Sequence, residues 1–263
     1  MKNKYSIFIN SCDNTSDVAR HFLMSFDKFI AVPKNIPIFF GTNNFLPQSN
    51  HLIKPIKSKK SNWREETIAQ LEKIKINNPN ITHTLFFLDD FIFSQKFLLL
   101  DFHDLFDDLM KNNIRYFRLT SIEESLFTKF FRLFTIKKNF IVNKNKLIQI
   151  RKSHPYYCSL QIAFWDIEYL ITLLKSSHNI WQFERQQSET IHYCPSYNIL
   201  SYKHIVEKGE WLFYAKNYCL KNINYFNPGN RNFSSNKIGK YHYYFKKLQF
   251  LFFGFLPLRL LKK

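Results

Sequence analysis

The sequence predicts an α/β fold: a mainly parallel sheet flanked by helices. Two observations and one rule of chain topology carry this reading. Short apolar runs at residues 5–9, 36–40, 83–88 and 114–119 alternate with helix-period stretches up to about residue 120. The first three runs stop abruptly at turn and cap formers: Asn10 to Thr15, Gly41 to Asn44, and Asp89-Asp90. Strands alternating with helices form βαβ units, whose strands pair in parallel.

Each element has a local reason. Residues 5–9 are apolar and β-prone. Val18, Phe22 and Phe26 recur four apart and predict a helix over 16–29. Residues 36–40 read as the second strand, and the lysine-rich 54–60 as a basic loop. Asn62, with Glu65 three residues later, is a capping-box pattern ahead of Ile68, Leu71 and Ile74. A helix is expected over 99–111 and a strand over 114–119. Residues 140–142 and 147–150 flank Asn143-Lys144-Asn145 and suggest a hairpin. After a cap at Asp166, Ile167, Leu170, Ile171 and Leu174 follow the spacing of a helix with one apolar face. The polar, Pro- and Gly-containing 227–240 reads as a linker. The chain therefore divides into a domain over 1–236 and a tail over 237–263.

Composition narrows the function. The 263 residues, 45% hydrophobic, are enough to close one α/β core. There are only 5 glycines, and no GxGxxG or GxxxxGK[ST] string, which argues against dinucleotide and P-loop sites. A formal net charge of +18 favours polyanionic or phosphorylated partners. Cys12, Cys158, Cys194 and Cys219 form no CxxC and no metal spacing, so they read as reduced cysteines of a cytosolic protein. No secretory h-region and no apolar run of about 18 residues is visible, so the expected location is cytoplasmic.

Leu88-Asp89-Asp90-Phe91 follows an apolar strand directly. Adjacent carboxylates repel each other, and a divalent cation holding a diphosphate would compensate them. A helix N-cap is the alternative use of such an Asp. Glu184, in Trp181-Gln182-Phe183-Glu184, follows two aromatic residues that could desolvate it toward the range of a general base. Otherwise Trp181 and Phe183 are core residues, and Glu184 is a cap or a partner of Arg185 or Lys175. Because ligands bind beyond the carboxyl ends of parallel strands, Asn10 to Asp13, Gly41 to Asn44 and Asp89-Asp90 should surround one crevice.

The order of short motifs resembles bacterial GT-A-type glycosyltransferases of surface-polysaccharide and lipopolysaccharide gene clusters. It runs Ser11-Cys12-Asp13 and Asp17, then Gly41-Thr42-Asn43, Ser61-Asn62-Trp63 and Asp89-Asp90-Phe91-Ile92-Phe93. Arg118-Leu119, Ser159-Leu160-Gln161 with Trp165, Trp181 to Glu184, and Gly209-Glu210-Trp211 follow. The resemblance covers about residues 4–215. It implies an inverting transfer of a sugar from a nucleotide-sugar donor to a hydroxyl of a glycan or lipid-linked acceptor. Asn10, Ser11, Asp13 and Asn43 would approach the nucleotide, and Asp89 and Asp90 would stand in the place of a DxD motif. Glu184 would be the catalytic base. Ser159, Gln161, Trp165 and Trp181 would line the sugar and acceptor site. The third DxD position is Phe91 here. A divalent metal, Mn or Mg, would then rest on Asp90, with Asp89, His192 or His204 as further candidates, or basic residues would neutralise the diphosphate instead.

The tail, Leu248 to Leu261 with basic flanks, is too short to span a bilayer. It suits an interfacial anchor on the anionic inner face of the cell membrane, or else a helix packing on the domain or a dimer contact. The competing reading is a nucleic-acid-binding protein, drawn from the interleaved aromatic and basic residues of 203–221. The absence of a helix-turn-helix, zinc or RNP pattern, and the acidic Asp101, Asp104, Asp107 and Asp108, oppose it. His21 and His103 read as surface or core packing residues, and Cys12 lies near the nucleotide loop with no sign of reactivity in the sequence.

Overall fold

In the computed structural model, residues 4–60, 62–122, 139–142, 145–152, 154, 157–186, 188–234 and 244 are described. The 237–263 tail, apart from Tyr244, lies outside them, as do residues 143–144 of the expected hairpin turn and Ser61. No helix among the described residues is long and apolar enough to cross a membrane.

The chain opens with β1 (Tyr5–Asn10), whose six residues are all buried. Side chains alternate across a strand, and here both faces find partners. Tyr5, Ile7 and Ile9 join one core with Phe22, Phe26 and Phe106, while Phe8 joins the other with Leu71 and Ile74. Helix α1 (Ser16–Phe29) covers the first face. Strand β2 (Ile30–Ala31) and β3 (Ile38–Thr42) follow, then β4 (Ile53–Lys57). The expected basic loop over 54–60 is thus partly a strand. β4 lies at the sheet edge, where Lys54 and Lys57 face solvent and Pro55 is tolerated. Helix α2 (Trp63–Asn77) starts where the cap pattern placed it, Asn62 accepting the Glu65 N–H at 3.0 Å.

Then come β5 (His83–Leu88), β6 (Phe91–Phe93) and β7 (Phe97–Leu98), and α3 (His103–Lys111) after a 3-10 turn. β8 (Tyr116–Arg118) precedes the hairpin of β9 (Asn139–Val142) and β10 (Asn145–Gln149). β11 (Ala163–Asp166) leads into α4 (Ile167–Lys175), capped by Asp166 accepting the Tyr169 N–H at 2.7 Å. The chain continues through α5 (Ile180–Arg185), β12 (Tyr193–Pro195), β13 (Tyr202–His204), β14 (Val206–Glu207), β15 (Glu210–Trp211) and α6 (Ala215–Ile223).

Among the described residues, nine strands form the central sheet in the order β4-β3-β1-β5-β11-β8-β12-β10-β9. The first four are parallel, as the βαβ pattern requires. β11 inserts antiparallel between β5 and β8, β12 pairs parallel with β8, and β10 and β9 close the edge antiparallel. The result is a Rossmann-like mixed α/β sheet with most strands in one direction and helices on both faces.

Residues 227–234, expected as linker, pack onto the domain instead. The Asn227 N–H donates to His21 Nε2 at 3.0 Å, and Phe233 bridges Trp211. His21 lies 206 positions upstream of Asn227, beyond the reach of local pattern reading.

One glycine is dictated by packing. A methyl at Gly41 would fall inside contact distance of Gln70 Oε1 and 2.9 Å from its Cδ. Gln70 is fully buried and accepts from Asn10 Nδ2 at 3.3 Å, so it has little room to yield. Gly41→Ala is expected to cost about 1–3 kcal/mol of unfolding free energy, measured by denaturant titration, with partial recovery when Gln70→Ala is added. An unchanged Gly41→Ala midpoint would show that Gln70 moves freely.

Candidate active site

Parallel strands deliver their carboxyl ends to one edge, and ligands settle where successive connections depart in opposite directions. That point lies between β1 and β5, since the sheet grows from β1 through β3 on one side and through β5 on the other. Asn10 and Leu88 are register partners there. The turns after them therefore meet.

Asp89 is buried at this junction, and its Oδ2 accepts from Ser11 Oγ at 2.5 Å and Thr15 Oγ1 at 2.6 Å. Burial pushes its carboxyl up to about 6, and the two hydroxyls and the Arg231 charge restrain it. Asp90 is less well served. Its Oδ1 is shielded from water and meets no hydrogen-bond partner among the described residues. Burial first, then Asp89 and Glu184, push its carboxyl up to about 8. A shielded oxygen without a partner costs free energy. The turn runs into strand β6 rather than a helix, so the N-cap explanation for the two carboxylates is removed. The Ile205 N–H donates to the Asp90 carbonyl at 2.9 Å, and β13 pairs with β6, which fixes the turn.

Glu184 reaches the same neighbourhood from α5. Asn179 caps that helix, accepting the Gln182 N–H at 2.9 Å, and fully buried Phe183 anchors it. Trp181 is 50% exposed and free to meet a ligand rather than part of the core. The half-buried Glu184 accepts from the Leu160 N–H at 3.5 Å. Burial raises its carboxyl, while that N–H and the Arg118 charge oppose the rise. Arg118 in turn donates through Nε to Thr120 Oγ1 at 2.7 Å, and Thr120 donates to Gln161 Oε1 at 3.1 Å. Ser159 is buried and accepts from the Gln161 N–H at 3.2 Å. Asp90 thus feels the charges of both Asp89 and Glu184, while Arg231 opposes the rise at Asp89 and Arg118 the rise at Glu184.

Asn10, Asp13 and Asn43 also gather at this edge, but their polar groups are largely engaged in building it. Asn10 donates to Thr67 and Gln70, and accepts from Trp63 Nε1 at 2.6 Å. Asp13 accepts from the Thr42 hydroxyl and from the N–H groups of Asn43, Asn44 and Phe45. Desolvation is the largest single influence and pushes its carboxyl up, but the four donors together outweigh it and hold the carboxyl down to about 2. Asn43 Oδ1 accepts the Asp13 N–H at 3.0 Å, and its amide donates to Ser58 O and to Glu66. The Asp13–Asn43 clasp therefore ties the turn after β1 to the turn after β3.

Two expected site residues are corrected. Trp165 is fully buried in the middle of the sheet, on the face covered by α2 and α4, with Tyr116 and Phe183 beside it. It cannot line a sugar site. His192 is also fully buried, its Nδ1 bonded to Tyr157 O at 2.8 Å and its Nε2 to Tyr169 Oη at 2.7 Å. Both ring nitrogens are spent, so it cannot take a metal. His204 lies opposite Phe91 in the β13–β6 register. Among the described residues no three His, Cys, Asp or Glu side chains gather as a metal centre. Sequence reading missed the roles of Thr15, Trp63 and Arg231. Thr15 carried a local sign in the cluster of cap formers after β1, and Trp63 in its place beside the Asn62 cap; Arg231 carried none.

No protein-family model matches the chain, and no curated protein matches it. Among solved structures it is similar to a cytidylyltransferase from Leptospira borgpetersenii serovar Hardjo-bovis (strain JB197). The identity is 11% and the TM-score 0.36, over 70% of this chain and 68% of that one.

Proposed function

We propose that this chain is a nucleotide-sugar-dependent glycosyltransferase that passes a sugar, with inversion, to a hydroxyl of a glycan or lipid-linked acceptor. The observation that supports it is Asp90: a carboxylate at the switch point of a parallel sheet, its Oδ1 shielded and unpartnered, in the field of both Asp89 and Glu184. Folding alone gains nothing from that arrangement; a ligand that supplies positive charge or hydrogen bonds does.

Glycosyl transfer needs a base on the attacking hydroxyl and charge stabilisation on the departing nucleoside diphosphate. Glu184, raised by burial, is suited to take the hydroxyl proton. The Asp13–Asn43 clasp shapes the nucleotide side, and Trp181 offers a face to the sugar. The donor set suits a hard divalent cation. Mg²⁺ or Mn²⁺ prefers carboxylate and phosphate oxygens and keeps several waters, so one free carboxylate can suffice on the protein side. Asp90 would hold it, with Asp89 behind. When bound, it would supply charge to the diphosphate.

The reading is tested by calorimetry of the full chain against a panel of nucleotide sugars, with and without manganese. One donor is expected to bind at micromolar strength and to be hydrolysed or transferred. A panel without binding or turnover would overturn the proposal.

A further inference from the structure

A cavity of about 580 Å³ opens beside the acidic turn, within the size range of small-ligand sites. Three chain segments meet around it: the turn after β1 with Asn14 and Asp17, the β14–β15 hairpin with Glu210, and residues 229–232. Arg231 joins them. Its Nε and Nη2 donate to Asp17 at 3.0 Å each, Nη1 to Gly209 O at 2.7 Å, and Nη2 also to Asn14 O at 3.2 Å.

The walls are preformed. The Trp211 N–H donates to Asn232 O at 2.8 Å, and Trp211 Nε1 to Pro228 O at 2.9 Å. Gly209 and Gly229 take φ of 83° and 57°, which glycine adopts without strain. A Cβ on Gly229 would stand 3.3 Å from that of Asp17.

The chemistry of the lining selects a ligand class. Arg231 has its charge matched by Asp17 and its donors committed to the wall, so it has little left for an anion. Glu210 adds an exposed carboxylate to the lining. Phosphate or carboxylate ligands are therefore disfavoured. An apolar ligand would strand the amides of Asn14, Asn230 and Asn232. Amides that donate and accept, beside a carboxylate that accepts, match vicinal hydroxyls. The cavity also adjoins the candidate active site: Thr15, between Asn14 and Ser16 of its wall, donates to Asp89.

We infer that this cavity binds an uncharged carbohydrate, on the acceptor side of the transfer. The word acceptor rests on the proposed function; carbohydrate binding itself does not. The test exposes the full-length chain to immobilised neutral hexose and N-acetylhexosamine oligosaccharides, beside sialylated and sulfated ones. Neutral glycans are expected to be captured, and Glu210→Ala and Asn230→Ala are each expected to weaken capture roughly tenfold. Both positions are exposed, so the fold survives, as an unchanged melting curve would confirm. Nucleotide-sugar affinity, read separately by calorimetry, should not change in either variant. Capture of only the anionic glycans, capture of none, or capture indifferent to both substitutions overturns the inference. Sensitive glycan capture by a chain that binds no nucleotide sugar would retain the carbohydrate site and remove the transferase reading.

Discussion

Replacing Glu184 by Gln is expected to lower turnover by about 10²–10⁴-fold while donor affinity stays unchanged. The substitution is close to isosteric, and the amide oxygen can still accept the Leu160 N–H. Phe183 remains buried and keeps α5 in place. What disappears is the basic oxygen that, on the proposed mechanism, would take the acceptor proton. Loss of turnover with intact donor binding, measured by product formation and by calorimetry on the same preparation, separates a base from a structural residue. Near-normal turnover in Glu184→Gln would eliminate Glu184 from that role.

The parts of this site that could be read from sequence are those fixed by neighbours along the chain. The apolar runs of β1 and β5 announce buried parallel strands. The caps Asn62 and Asp166 act over three residues, so their helices begin where the pattern puts them. Asp89-Asp90 stood out because two carboxylates at a strand end are electrostatically awkward. Other features depend on pairing across the fold. β4 hides among lysines because an edge strand need only bury one side. Trp165 belongs to a quoted motif, yet the face it occupies follows from β11 lying between β5 and β8, which no local spacing reveals. Arg231 reaches back to Asp17 across nearly the whole described chain. The polar composition that suggests a linker is in fact what lets 227–234 clamp onto the turn after β1.

Asp90→Asn carries the second large expectation, in opposite directions for activity and stability. An amide keeps the size of the side chain but would hold a divalent cation far more weakly than a carboxylate, so on the proposed mechanism turnover should fall at least about 10²-fold. Stability should rise, and the gain should depend on pH. In the unfolded chain Asp90 titrates near the ordinary carboxylate value of 3.8; in the fold it is pushed up to about 8. Between those values the native state holds a proton that the unfolded state has released, so stability falls as pH rises through this window. Above about 8 both states are ionised and the penalty is complete. Asp90→Asn has no such proton. Its melting temperature should match wild type near pH 4 and exceed it increasingly up to about pH 8, with a constant gap beyond. A pH-independent gap would show that Asp90 is hydrated or paired in the ligand-free protein. An active Asp90→Asn would place the charge needed for transfer elsewhere. Both results together would remove an arrangement that folding alone does not explain, a shielded carboxylate kept in the turn after β5 at the expense of stability.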